Sequence, residues 1–356
     1  MFNSMRTRRW NRPSLKATAF IGAAAFAASS IIVPLPEASA TERFLNARPV
    51  SKAPVLDGRL DDNAWKQAEP LSVVVYHPPR PQRAINTTVE LRAVWSGRDF
   101  FLSARWADAT EDTRKEQWTF DGKRWIQDPD QDEDRFALIY PINQSVPWFR
   151  DASCFSACHA QADPGGKIKW YKATLGPSER LDVWHWKATR SNPLGYVDDK
   201  FWNHLLPSPD HRHAGRHPDD GAGGPNPAKR NANADRTRPL FMPTPGKPPQ
   251  IAGVLMRDEA VPFVETGHKP GSIIPGRVLT PPRSSRADVR SAGVHREGHW
   301  HLEIRRAMDT GNEDDVVFEL GTEIPFALAV FENVSERRKQ DHGRAMDRLR
   351  LRLLRD

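Results

Sequence analysis

The sequence predicts an all-β protein, an antiparallel β-sandwich with long loop insertions and little helix. Three observations lead there. Short apolar stretches of alternating character recur at turn-punctuated intervals. Long amphipathic stretches of helical period are hard to find, and Asp112–Trp118 is the one short candidate helix. Twelve tryptophans supply flat faces of the kind that fill the space between two sheets.

The chain opens with Arg6, Arg8, Arg9, Arg12 and Lys16, then an apolar run from Ala17 to Val33, then Glu37-Ala38-Ser39-Ala40. That order of charged, apolar and small residues predicts a secretory signal peptide over residues 1–40, cleaved after Ala40. The run is short and followed by Pro34 and Pro36, whereas a membrane span wants about 20 apolar residues. Cleavage would leave residues 41–356 as one periplasmic domain with no integral membrane segment. The net charge of +7 falls to about +3 without the leader, an ordinary value. Basic residues are not interleaved with aromatics in the manner of a nucleic-acid groove, so no nucleic-acid partner is expected.

The predicted strands are Leu71–Tyr76, Thr87–Trp95, Phe100–Trp106, Arg135–Tyr140, Asp182–Lys187, Trp300–Arg305, Val316–Leu320 and Phe326–Phe331. Ser96-Gly97-Arg98-Asp99 has the composition of a hairpin loop between two of them. From about 193 to 282 the pattern dissolves into a stretch rich in Pro, Gly, Asn, Asp, His and Arg, too long for an ordinary loop. It is either a disordered insertion or a set of loops ordered by a bound group.

The only two cysteines lie in Cys154-Phe155-Ser156-Ala157-Cys158-His159. A c-type haem needs two thiols to add to its vinyl groups and a histidine directly after the second to reach the iron. The usual spacing is C-x-x-C-H, and this chain has one extra residue between the thiols. The expectation is one covalent haem c on Cys154 and Cys158, with His159 as proximal ligand. A Cys154–Cys158 disulfide is the bland alternative, although a bridge closing so small a loop adds little stability. A zinc site completed by His185 or His204 is a third, but only one ligand cluster is evident.

Three further segments join this motif: Val55-Leu56-Asp57-Gly58-Arg59-Leu60-Asp61-Asp62-Asn63-Ala64-Trp65, Leu181-Asp182-Val183-Trp184-His185-Trp186-Lys187-Ala188, and Asp314–Phe318 with Phe326–Asn333. Taken in order, they resemble the haem-binding domain family related to the γ subunit of ethylbenzene dehydrogenase and to similar subunits of other molybdenum enzymes. The resemblance implies a DOMON-like β-sandwich holding one haem between its loops. It also implies electron transfer to or from a redox partner, a molybdenum oxidoreductase or another cytochrome, without catalysis by the chain itself. The γ subunits hold a non-covalent b haem through Met and Lys; the hexapeptide here implies a c-type member with histidine in place of one of those ligands.

The distal ligand remains a choice among His342, His185, Lys187 and Met242. His342 lies in Lys339-Gln340-Asp341-His342-Gly343-Arg344, close to where the γ subunits' lysine aligns. In a strand, His185 points away from Trp184 and Trp186 and shares a face with Lys187. Met242, in Leu240-Phe241-Met242-Pro243, would supply a thioether. The histidines at 204, 211, 213 and 217 form a loose cluster that more often means a solvated loop. Trp148, Phe149, Trp170 and Tyr171 flank the motif and offer aromatic surface to a porphyrin. Two other functions stay open: a carbohydrate-binding sandwich with exposed tryptophans, and a haem-based sensor with a displaceable sixth ligand.

Overall fold

The structure, a computed structural model, describes residues 41–77, 85–162, 168–206, 215–224, 230–334 and 342–355. The leader over 1–40, His211 and His213 lie outside the described residues, as does the side chain of Trp170.

Thirteen strands form the main sheet system: β1 Glu42–Pro49, β2 Leu71–Tyr76, β3 Thr87–Ser96, β4 Asp99–Ala107, β5 Arg135–Pro141, β6 Leu181–Lys187, β7 Asp198–Trp202, β8 Arg216–Pro218, β9 Arg290–Arg296, β10 His299–Ala307, β11 Glu323–Phe331, β12 Gly343–Ala345 and β13 Arg348–Leu353. Their order is β8-β7-β6-β5-β11-β12-β2-β3-β4-β10-β9, all antiparallel neighbours. A second link between the halves runs β11-β13-β1-β3, in which β1 lies parallel to both β13 and β3. The two halves face each other across one core, bridged by aromatic pairs. Trp106 stacks on Phe136 at 5.4 Å, Trp186 meets Trp300 edge-on at 4.9 Å, and Phe100 tilts against Trp184 at 6.5 Å. This is the antiparallel β-sandwich the sequence predicts, filled by its buried tryptophans.

The opening segment is tied to this core by one carboxylate. Glu303 on β10, fully buried, accepts the backbone N–H groups of Asp57 (2.8 Å) and Gly58 (2.7 Å) and the indole N–H of Trp65 (2.7 Å). Gly58 has φ +75°, and a Cβ there would sit 2.6 Å from Val294 Cγ2, so only glycine fits the turn. Trp65 comes from a short helix, Asn63–Gln67, that the sequence reading did not single out.

Two predicted elements are corrected. Residues 316–320 are not a strand, although burial alternates as in one: Val316 and Phe318 are buried and Val317 is exposed. The reason is that the N–H of Val316 goes to the Asp182 carboxylate and that of Phe318 to the Met308 carbonyl, so no ladder forms. Asp112–Trp118 is not a helix either. The N–H of Asp112 is taken by Asp134 Oδ2 at 2.8 Å, Thr113 bridges Glu133, and Trp118 begins a short strand, Trp118–Phe120. The described part of 193–282 forms loops with brief strand pairs, such as Phe241–Pro243 with Ala260–Pro262.

Candidate haem site

Strands β6, β5 and β11 turn Trp184, Trp186, Phe136, Leu138, Tyr140, Phe326, Leu328 and Val330 into the sandwich core. Period-two alternation then places Val183, His185, Lys187, Arg135, Ala137, Ile139, Ala327, Ala329 and Phe331 on the outer face. The expected orientation of His185, away from both tryptophans, is what the structure has. His185 lies opposite Ala137, Ala137 opposite Ala329, and Ala329 opposite Arg344 on β12. Two alanines therefore make a shallow floor between an imidazole and a guanidinium.

The cysteine motif is laid on this face. A one-turn helix, Phe149–Ala152, leads into a 3-10 turn, Ser153–Ala157, which carries the first thiol. Cys158 then starts a hairpin, Cys158–Ala162 with Ile168–Lys172, in which Cys158 lies opposite Lys172 and His159 opposite Tyr171. Cys154 packs with Val146, Phe149 and Ala157 against Ile139, Val183 and Ala327 of the sheet. The guanidinium of Arg344 sits 4.3 Å from the centre of the Phe155 ring and holds the middle of the motif to β12. Both cysteines are free thiols rather than a bridge. Burial, helped by the neighbouring Cys158, pushes the Cys154 thiol up to about 12.

At the other end of the floor stands Phe331, packed on Ala137, Ala329 and Val334. The His342 ring stacks on it at 4.6 Å and the His185 ring tilts against it at 5.4 Å, while the Arg135 guanidinium lies 5.0 Å away. His77 stacks in turn on His342 at 6.4 Å. Burial first, and then nearby cations, hold both imidazoles well below their ordinary value; the cations are led by Lys187 for His185 and by Lys172 for His342. Each is therefore neutral at pH 7, the protonation state of a metal ligand.

Three buried ring nitrogens in this region, Nε2 of His159, Nε2 of His185 and Nδ1 of His342, meet no hydrogen-bond partner. Buried polar atoms are nearly always satisfied, so an open ring nitrogen on each of these three histidines leaves a lone pair or N–H available to a bound group. Two thiols, an imidazole in the next position and further neutral imidazoles fit the donor set of a c-type haem.

The remaining candidates are placed differently. Lys187 shares the face of His185, but its ammonium is paired with Asp198, which also takes Lys200. Met242 packs in another cluster, with Trp118, Trp125 and Phe263, and its sulfur accepts the N–H of Val264 at 3.4 Å. His217 is bonded to Asn203 Oδ1 at 3.1 Å and stacked on Phe201, whereas His204 keeps a buried Nδ1 without a partner. Phe149 is buried beside Cys154, Tyr171 is half-buried, and Trp148 is 65% exposed. Among the described residues, the Cys, His and acidic side chains that bring three ligand atoms within 4.8 Å of one another are Asp182, Asp199 and Asp315, not the cysteines. Sequence reasoning missed Lys172, whose ammonium lies 5.5 Å from the Trp202 ring and whose charge bears on both cysteines and on both His185 and His342. Its signal is the hairpin register opposite Cys158.

The family model described as ethylbenzene dehydrogenase matches residues 62–343, a span that holds both cysteines, His159, His185 and His342. The chain belongs to the ethylbenzene dehydrogenase family. No curated protein matches the sequence. Among solved structures, a family 9 carbohydrate-binding module from Caldicellulosiruptor kristjanssonii in complex with glucose is 10% identical. It covers 89% of this chain and 98% of its own, with a TM-score of 0.35. The same module in complex with cellotriose is 10% identical over 88% and 96%, with a TM-score of 0.33. Likeness this distant says nothing of what a member of the ethylbenzene dehydrogenase family binds. Among the described residues, no helix is long and apolar enough to cross a membrane.

Proposed function

We propose that this chain is an exported c-type cytochrome of the ethylbenzene dehydrogenase family, transferring electrons to or from a periplasmic redox partner. The observation that carries the reading is the only two cysteines, free and followed at once by His159, with Cys154 packed on the sheet face that also carries His185. In this reading Cys154 and Cys158 tether one haem, His159 holds one axial position and His342 the other. His342 is preferred to His185 because its ring is bracketed between Phe331 and His77, which fixes its rotation. The haem, when bound, supplies one-electron chemistry. Arg135, Lys172 and Arg344 add positive charge around it, which disfavours the more positive oxidised state and raises the potential. With both axial positions filled by side chains, no site is open to substrate, so catalysis is left to the partner. A molybdenum oxidoreductase is the partner that family membership favours.

The carbohydrate-binding reading loses support from the burial pattern. A sugar platform needs exposed aromatic faces, and among the described tryptophans Trp148 alone is exposed. The proposal is tested by producing the full chain in cells that mature c-type cytochromes, extracting with acidic acetone and staining a denaturing gel for haem. A stained band that disappears in Cys154→Ser/Cys158→Ser supports covalent attachment. Haem in the native protein without a stained band means a non-covalent site, and no haem in either sinks the cytochrome reading. Carbon monoxide binding to reduced His342→Ala but not to His185→Ala supports the axial assignment; the reverse pattern moves it to His185.

A further inference from the structure

A second constellation lies on the opposite, inward face of β6, where the haem reading makes no use of it. Asp182 on β6 and Asp199 on β7 meet Asp219 just after β8, Asp288 after the 3-10 turn Ser284–Ala287, and Asp315 in the loop before β11. One ligand oxygen from each of Asp182, Asp199 and Asp315 lies within 4.8 Å of the other two. Asp199, Asp219 and Asp315 are 1%, 1% and 2% exposed and Asp182 is fully buried. Five carboxylates in so dry a place repel one another strongly.

The cation among them is Arg306, at 2.8 Å from Asp182 Oδ2 and 3.6 Å from Asp315 Oδ1. Its remaining donors go to the carbonyls of Val316 and Ala307. Arg286 is near but donates to the carbonyls of Asp219 and Gly223 instead. One guanidinium cannot neutralise five acids. Burial and mutual repulsion push Asp182 up to about 8, Asp219 up to about 9 and Asp288 up to about 6, so the cluster can ionise fully only against that repulsion.

A separate observation points to what does relieve it. Six oxygens, Oδ1 of Asp182, Oδ2 of Asp199, both of Asp219, Oδ1 of Asp288 and Oδ1 of Asp315, are buried without a hydrogen-bond donor. The oxygens beside them are well supplied. Asp182 Oδ2 accepts the Val316 N–H at 3.1 Å, Asp288 Oδ2 accepts Asn312 at 3.0 Å, and Asp315 Oδ2 accepts Thr310 Oγ1 at 2.6 Å. Each of those three carboxylates is thus oriented through one oxygen, while the other lacks a hydrogen-bond donor, Asp315 Oδ1 having only the Arg306 guanidinium at 3.6 Å.

We infer that Asp182, Asp199, Asp219 and Asp315, with Asp288 at the rim, bind one calcium ion. All the donors are hard oxygens with no sulfur or imidazole nitrogen, which selects an alkaline-earth ion over zinc or iron. Calcium accepts about six to eight oxygens in irregular geometry, whereas magnesium demands a tight octahedron and keeps several waters. The ion would tie β6, β7 and the end of β8 to the 284–288 and 309–316 loops, which lack a shared ladder.

The test is calorimetric titration of the chelator-treated, full mature protein with calcium chloride, and separately with magnesium chloride, alongside thermal unfolding. Neither readout depends on haem content. The expected result is one equivalent of calcium, much weaker magnesium, and a midpoint raised by about 5 °C at a hundredfold excess over Kd. Asp199→Asn and Asp315→Asn should abolish both effects. No calcium binding up to millimolar concentration, with midpoints equal in chelator and calcium, overturns the inference, as does full binding in both variants. If either variant fails to fold, the wild-type titration still decides.

Discussion

Replacing Phe331 with alanine removes the ring on which His185 and His342 both rest. Phe331 is 7% exposed and packs on Ala137, Ala329 and Val334. A Phe→Ala change in a packed site costs about 3–5 kcal/mol, and the Arg135 guanidinium 5.0 Å above the ring adds roughly 0.5–1 kcal/mol. Phe331 ends β11 and borders a loop, so part of the space can close, and the expected loss is about 3 kcal/mol. For a domain this large that lowers Tm by about 6 °C. Cys154 packs with Val146, Phe149 and Ala157, in a different cluster from Phe331, so haem attachment should persist while the distal imidazole loses its support. The reduced variant should then bind carbon monoxide, and the wild type should not. Unfolding monitored by circular dichroism and carbon monoxide difference spectra read the two effects. A variant with wild-type Tm that stays inert to carbon monoxide would refute the role given to Phe331.

Other outcomes follow from the same geometry. Glu303→Gln turns an amide N–H toward the Trp65 indole N–H and should cost about 3 kcal/mol in urea unfolding, with most of that loss absent in a Trp65→Phe background. Asp134 is pushed up to about 8 by burial and by Asp108, itself raised to about 6. A raised carboxyl stabilises the fold below the ordinary value near 4, and that stability is lost as pH rises through 8. The Tm of the wild type relative to Asp134→Asn should therefore fall between about pH 4 and pH 8; a difference that is constant or rises across that range contradicts it. Lys172→Met should lower the haem potential by on the order of 50 mV in redox titration, and an unchanged or higher potential would remove Lys172 from the site.

Most strands are legible because each has one wet or outer face and one buried face. Leu71–Tyr76 and the strand at Arg135 were placed with their starts where the structure has them, and Gly97 makes the turn between β3 and β4. The alternation Arg348-Leu349-Arg350-Leu351-Arg352-Leu353 is as regular as any, and it forms β13, which the sequence reading passed over. The misplaced strand at 316–320 shows the limit of periodicity, since alternating burial there is fixed by Asp182, a partner far away in the chain. The cysteine-histidine hexapeptide stands out in the sequence by its spacing alone. The floor of Ala137 and Ala329, the Phe331 ring and Lys172 were not, because what gathers them is strand register between segments up to about 200 residues apart. The same holds for the buried aspartates, each unremarkable in its own segment.

The most direct test of the central claim is the intact mass of the mature protein under denaturing conditions. The account predicts the polypeptide mass plus that of one haem, reduced to the polypeptide alone in Cys154→Ser/Cys158→Ser. A mass lower than the polypeptide by two hydrogens would mean a Cys154–Cys158 disulfide, and an unmodified polypeptide would mean free thiols; either would contradict covalent haem.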